Sequence, residues 1–484
     1  GHMTDVADKY SDMDVETARE KIIDDLKESG QIGEQWDIEH SVNVHERCGT
    51  PIEFLVTKQW FIEYLDLKDK YLEIGEEINW NPQHMKVRYD NWIKSLRWDW
   101  CISRQRFHGI PFPVWYCKEC GEVKLAEEEQ LPVNPLVDEP ISPCEECGSN
   151  KFEPERDVLD TWATSSLTPY ISTRWIDDKE IFDKVFPFSL RPQSHDIITF
   201  WAFNTIVKSL FHSKEKPWDD IMIHGYWWLP GGKAFSSSKG IIVDPEEVAE
   251  EFGADPIRYL SGTTKPGEDG IYEKKWLRRG QRVRNKYWNI QKFIQKSIEG
   301  KIESKPKLET IDRWILSKFS EIVEKTTESL DNYRYDQALQ EIENFLWHEV
   351  ADHYIEMVKY RIYKDEGNKS AQYTLYRIGL GLTKLLAPFM SFVTEEVYHR
   401  IYKNYEGDES VHISSWPEPI TYDEKAIAIG EKIKKIIAEV RNWKSDNGIQ
   451  LNEDIGKMKI VSDDKKIMDN QEVIIETLKA SNLC

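Results

Sequence analysis

Basic residues are in the minority in this chain: 64 lysines and arginines face 86 aspartates and glutamates, a net charge of -22 over 484 residues. That balance excludes a generally basic coat for nucleic acid, so any polynucleotide has to meet a local patch. Apolar runs of membrane-spanning length are missing too, which leaves no expectation of a membrane partner. No signal peptide follows the opening "GHM", which reads as a cloning remnant, and a cytoplasmic protein is expected. Internal repeats and low-complexity blocks are absent. Cysteine is scarce at seven, but four of the seven fall in two C-x2-C pairs. In a long intracellular chain that pattern points to metal rather than disulfides.

What is present has two textures. Residues 14 to 30, "DVETAREKIIDDLKESG", predict a short amphipathic helix with an acidic start and a glycine past its end. From 105 to 245, strand-like runs such as "IPFPVWYC" and "DIMIHGYWWL" alternate with the helical "DIITFWAFNTIVKSLF", an α/β pattern. Beyond about 305 long helices take over. Ile315, Phe319, Ile322, Thr326 and Leu330 recur at helical spacing, as do Leu339, Ile342, Leu346, Val350, His353 and Met357. Such faces need one another, so a helical bundle is expected, with Pro388 bending or breaking one member.

Three motifs carry chemistry. Cys117 and Cys120 in "WYCKECG", with Cys144 and Cys147 in "SPCEECG", make two knuckles separated by 23 residues. Each tight turn brings two thiolates to one side, and two turns close an all-thiolate tetrahedron for zinc with no open position, hence a structural metal. The plain alternative is four unrelated surface thiols. His45 and Cys48 in "VHERCG" look like half of another knuckle whose second half is not evident. The run "KKWLRRGQRVRNK" holds seven basic residues, Lys274, Lys275, Arg278, Arg279, Arg282, Arg284 and Lys286, and no acid. It reads as a phosphate contact or as a solvated helix face. The small-residue stretch "GKAFSSSKGIIVDP" reads as a phosphate-handling loop or as a surface turn.

Several islands together resemble the class I aminoacyl-tRNA synthetases of the isoleucyl, valyl and leucyl group, most specifically the valyl-tRNA synthetase family. They are "WDWCISRQRFHGIPFPVWYC", "DVLDTWATSSLTPY", "RPQSHDIITFWAF", "IHGYWWLPGGKAFSSSKGIIVDP", "DRWILSKFSEI", "YRYDQALQEIENFLWHEVADHYIEMVK" and "LLAPFMSFVTEEVY", collinear over nearly the whole chain. The "FLWHEVADHYIE" island separates the valyl type from its relatives. The fold class implied is α/β plus all-α: a partial Rossmann-type catalytic core with a zinc-binding insertion, followed by an α-helical anticodon-binding bundle.

The resemblance also assigns residues. "AFSSS" aligns with the family's KMSKS loop, which grips the ATP triphosphate. Ser236 and Ser238 match its serines, Ala234 and Phe235 replace its first lysine and methionine, and Ser237 replaces its second lysine. Lys233 and Lys239 flank the loop, and Lys239 is the expected substitute. Asp196 matches the acid at the adenosine ribose, with Ser194 where a glycine is usual; His224 and Gly225 match the strand end at adenine; Trp162 and Ile197 match the valine pocket. ATP, its magnesium counter-ion, valine and tRNA(Val) are the implied ligands. Lys274, Lys275, Arg278, Arg279 and Arg282 are the expected tRNA contacts.

The family's His-x-Gly-His signature occurs nowhere in this sequence. The segments expected are therefore 1–58, the last part of an editing insertion; 59–116, a connection to the catalytic core; 117–150, the zinc module; and 151–246, the second Rossmann half. After these come 247–305, a stem-contact region; 306–440, the anticodon-binding bundle; and 441–484, the start of a C-terminal extension. A part of a valine-tRNA ligase, inactive alone without a separate N-terminal half, is the expectation. The alternative is a non-catalytic, synthetase-like paralogue that binds tRNA.

Overall fold

The computed structural model describes residues 2–45, 48–52, 56–236, 240–298, 304–364, 368–460, 465–480 and 482–483. The chain divides into two compact units, Gly1–Ile62 with Trp100–Val158, and Glu63–Asp99 with Leu159–Cys484.

In the first unit, α1 (Val15–Glu28) begins where the Asp14 carboxylate accepts the Thr17 N–H, and the chain turns away at Gly30 with φ +68°. The same unit holds a three-stranded antiparallel sheet with Val114–Cys117 between Val123–Leu125 and Phe152–Pro154. Its anchor is the buried Trp115, whose indole N–H donates to the Asp138 carbonyl at 3.1 Å.

The second unit opens with α2 (Lys68–Glu77), β1 (Asn79–Asn81) and α3 (Lys86–Ser95). Next come β2 (Phe188–Ser194), α4 (Phe203–His212) and β3 (Trp218–His224). The strands form a parallel sheet in the order β1-β3-β2, with Ile221 beside Trp80 and His224 beside Ser194. Trp80, Trp218, Ile221 and Ile223 are buried in it, as apolar side chains of a covered parallel sheet should be. Helix α4 buries Phe203, Ile206 and Val207, and the Phe203 ring meets Tyr64, Tyr71 and Tyr89 edge-on. Then β4 (Trp227–Leu229) pairs antiparallel with β5 (Lys233–Ala234) and parallel with β6 (Gly270–Ile271), while α5 (Pro245–Phe252) and α6 (Ala254–Gly262) fill the interval.

From α7 (Lys274–Ser297) onward the unit is helical: α8 (Thr310–Asp331), α9 (Tyr335–Asn344), α10 (Ile355–Lys364), α11 (Lys369–Leu386), α12 (Ser391–Val397) and α13 (Glu424–Asp446). Both helical faces read from the sequence point inward, with Ile315, Phe319, Ile322, Leu339, Ile342, Leu346, Val350 and Met357 in one core cluster. Pro388 falls between α11 and α12, where the helix breaks. The buried Asp255 of α6 caps the start of α12, accepting the Phe392 and Val393 N–H groups at 3.0 and 2.8 Å. No helix among the described residues is long and apolar enough to cross a membrane.

Candidate active site

The metal candidate lies in the first unit. In one knuckle the Gly121 N–H donates to the Cys117 carbonyl and the Cys117 N–H to the Glu122 carbonyl, both at 2.8 Å. Gly148, Cys144 and Ser149 repeat the pattern at 2.8 and 2.9 Å. Gly121 and Gly148 sit at φ +78° and +72°, a backbone that a side chain would strain. The turns bring Cys117 Sγ to 3.5 Å from Cys147 Sγ and Cys120 Sγ to 3.6 Å from Cys144 Sγ, and all four sulfurs lie within 4.8 Å of one another. A zinc tetrahedron with ~2.3 Å bonds needs sulfurs about 3.8 Å apart, so the residues fit the ion.

The charge pattern agrees with that chemistry. The Cys120 N–H, against burial, draws Cys117 down to about 6. Cys120 is pushed up to about 12: burial and its sulfur neighbours Cys147, Cys117 and Cys144 outweigh the Glu122 N–H. Without a cation one thiolate forms at the expense of the others; a divalent ion removes that conflict. His45 and Cys48 make the same kind of turn, with the Gly49 N–H on the His45 carbonyl at 2.8 Å and φ +72° at Gly49. No third ligand joins them among the described residues.

The nucleotide candidate lies in the second unit. Strands β2 and β3 run parallel and end side by side, so the residues after Ser194 and at His224 meet at one edge of the sheet. In open α/β sheets that edge, outside the carboxyl ends of the strands, is where ligands bind. Asp196 sits exposed in the single turn His195–Ile197 that follows β2. Burial pushes its carboxyl up, but the Ser194 and Tyr226 hydroxyls beside it and the His195 ring outweigh that and hold it below the usual carboxylate range. His224 is exposed at the end of β3 with its Nδ1 3.0 Å from the Gly225 carbonyl. A Cβ on Gly225 would stand 2.3 Å from the Glu268 carbonyl oxygen, so only glycine fits there.

Ile197 closes the turn that carries Asp196, and the π-helical turn Ile198–Ala202 follows it. Phe200 of that turn stacks on Trp162 at 5.6 Å and 17°, and the Trp201 indole donates to the Ser165 carbonyl at 3.1 Å. The structure thus brings the Trp162 helix, Thr161–Ser165, against the segment of Ile197. Lys233 is exposed on β5, and Ser236 exchanges two backbone hydrogen bonds with Ile241, at 2.8 and 2.9 Å, in an isolated antiparallel bridge. Ser238 and Lys239 lie outside the described residues.

The basic run is helix α7, and its charges are unequally free. Lys274 pairs with Glu251, Lys275 with Glu273, and Arg279 with Glu343, which also accepts from the Tyr259 hydroxyl. Arg278 and Arg282 are exposed and have no acidic partner among the described residues. Three features gave no sequence signal. Arg191 on β2 is buried, stacked 3.1 Å from the Trp201 ring centroid, and burial draws it down to about 10. Tyr226 and Asp269 join the two strand ends; an acid between glycines in "GEDG" reads only as a loop.

Two family models match this arrangement: "tRNA synthetases class I (I, L, M and V)" over residues 2–271, and "Anticodon-binding domain of tRNA ligase" over residues 312–460. The chain belongs to the class I tRNA synthetase family. Among curated relatives it is 42% identical over 494 residues to the valine-tRNA ligase of Methanopyrus kandleri, covering 99% of this chain and 53% of that protein. It is 42% identical to the Haloarcula marismortui valine-tRNA ligase (95% and 51% covered) and 43% identical to that of Pyrococcus horikoshii (93% and 52%). The chain spans about half the length of these relatives. Among solved structures it resembles Mycobacterium tuberculosis methionyl-tRNA synthetase with methionyl-adenylate, at TM-score 0.55 and 18% identity, covering 74% of this chain and 65% of that one. It also resembles Agrobacterium radiobacter LeuRS in a ternary complex with tRNA and LeuAMS, at TM-score 0.54 and 20% identity over 68% and 43%. At those identities the likeness shows the fold alone.

Proposed function

We propose that this chain is part of a valine-tRNA ligase, working in the cytoplasm, and that it holds half of the centre that activates valine. The observation that carries the reading is the meeting of Asp196 and His224 at adjacent carboxyl ends of parallel strands, with the Ser236–Ile241 bridge in the same unit. Asp196 accepts from the adenosine ribose hydroxyls, and adenine packs on His224 and Gly225. Trp162 and Ile197 bound the valine side chain, a pocket that excludes larger residues but rejects threonine poorly. Lys233, Ser236, Ser238 and Lys239 hold the triphosphate of magnesium-ATP. The valine carboxylate attacks the α-phosphorus and pyrophosphate leaves; a terminal hydroxyl of tRNA(Val) then attacks the valyl carbonyl and AMP leaves. Cys117, Cys120, Cys144 and Cys147 hold a zinc ion with no open position, which orders its module and does no chemistry.

Donors are needed on both sides of the transferring phosphate, and His-x-Gly-His is the family's other set. These residues include no such set, so on this reading they form no adenylate until donors of that kind are supplied to them. The segments 1–58, 59–116, 117–150, 151–246, 247–305, 306–440 and 441–484 are proposed with the roles given above. A second reading, a paralogue that binds tRNA without catalysis, is favoured by Ala234 and Ser237 standing where the loop's lysines belong.

Binding of tRNA tests what both readings share. Arg278 and Arg282 are the charges free to meet phosphate, whereas reversing Arg279 would also expel Glu343 from its fork. Reversing Arg278 and Arg282 to Glu is expected to weaken all tRNAs alike and to reduce the salt slope by about two. The unaltered chain should prefer tRNA(Val). Equal affinity for unrelated tRNAs, or an unchanged slope in the variant, contradicts the assignment.

A further inference from the structure

The segment 265–271 is packed against the end of β3. Its Gly267 N–H donates to the Ile223 carbonyl at 2.9 Å and its Gly270 N–H to the Tyr226 carbonyl at 2.7 Å. From this clasp the Asp269 carboxylate reaches both strand ends. Oδ1 accepts the Tyr226 N–H at 2.7 Å and faces His195 Nε2 at 3.1 Å, while Oδ2 accepts the Trp228 indole N–H at 2.9 Å. The Tyr226 N–H does most to hold this carboxyl below the usual range; burial opposes it, and Trp228 and His195 reinforce it. An ionised carboxylate only accepts, so His195 donates from Nε2 and its ring orientation is fixed. His195 Nδ1 is buried and has no partner among the described residues, so Asp269 is what holds the ring by hydrogen bonding. The fixed ring meets Tyr226 edge-on at 4.9 Å and 68°, and the Tyr226 hydroxyl stands beside the Asp196 carboxylate.

We propose that Asp269 is a positioning residue of the nucleotide site, holding His195 and Tyr226 where they aim the Asp196 carboxylate at the ribose hydroxyls. This rests on the reading of Asp196 as the ribose partner. Asp269 touches no substrate; it acts by locking the turn after β2 to the end of β3. Asn in its place keeps the volume but turns a donor toward one of three donors, which loosens the aim without emptying the site.

The test compares ATP with 2′-deoxyATP by calorimetry on the full chain. The unaltered chain is expected to bind ATP tighter by a factor of roughly ten, the range of one hydrogen bond to a charged group. Asp269→Asn should shrink that ratio to about two or less while leaving 2′-deoxyATP affinity within about twofold, and should add nothing to Asp196→Asn. Tyr226→Phe, which removes only a hydroxyl, should shrink the ratio too and decides the matter should Asp269→Asn fail to fold. A ratio kept in the variants, or an equal loss for both nucleotides, overturns the positioning role while Asp196→Asn still abolishes the ratio. A ratio near one in the unaltered chain, or one that survives Asp196→Asn, overturns the ribose reading itself and the proposal with it.

Discussion

Cys117 is buried at the end of a strand, and the turn that carries Cys120, three residues on, is closed by backbone hydrogen bonds between Cys117, Gly121 and Glu122. Apparent zinc affinities of such thiolate sites are on the order of 10 kcal/mol or more, so the ion should dominate the stability of its module. Metal analysis is expected to find one tightly held zinc per chain. Cys117→Ser should lose it and loosen 117–150 while the unfolding of the helical region stays unchanged; a zinc-free native chain with four freely titratable thiols contradicts this. These four residues were legible in the sequence because spacing alone specifies the knuckle. Asp269 was not: its role depends on a meeting of Tyr226, Trp228 and His195 from distant parts of the chain, and local sequence carries no trace of that. Arg191 is similar, since a lone arginine in a strand gives no sign of the two tryptophans that enclose it.

Helices α8, α10 and α11 are joined through one buried ion pair. Asp312 and Arg361 meet at 2.7 and 2.8 Å, and Asp312 also accepts from the Tyr354 and Ser370 hydroxyls. Removing Asp312 leaves the buried Arg361 only the half-exposed Glu309, 3.0 Å away, so Asp312→Leu should lower the unfolding free energy by about 3 kcal/mol in a denaturant titration. Replacing both, Asp312→Leu with Arg361→Met, should recover most of that loss; a double variant as unstable as the single one contradicts the pairing. The helices themselves were readable from their period, because Ile315, Phe319 and Ile322 share one face. The π-helical turns at Ile198–Ala202, Phe345–Tyr354 and Tyr398–Tyr402 were not, since one extra residue in a turn leaves the apolar period nearly intact.

Across the whole molecule, the sequence motifs name two candidate sites of different kind. The family islands placed Asp196 and His224, and the parallel register of β2 and β3 explains why residues 28 apart in sequence serve one edge. The loop was readable only in part, because Lys233 and Lys239 flank positions where the pattern itself is altered. The most direct test is valine-dependent pyrophosphate exchange, measured on this chain alone and again with the N-terminal half of a valine-tRNA ligase added as a separate polypeptide. The account predicts no exchange alone and exchange in the pair, reduced more by Lys239→Ala than by Lys233→Ala. Exchange by the chain alone, or a tightly associated pair that stays inactive, would contradict it.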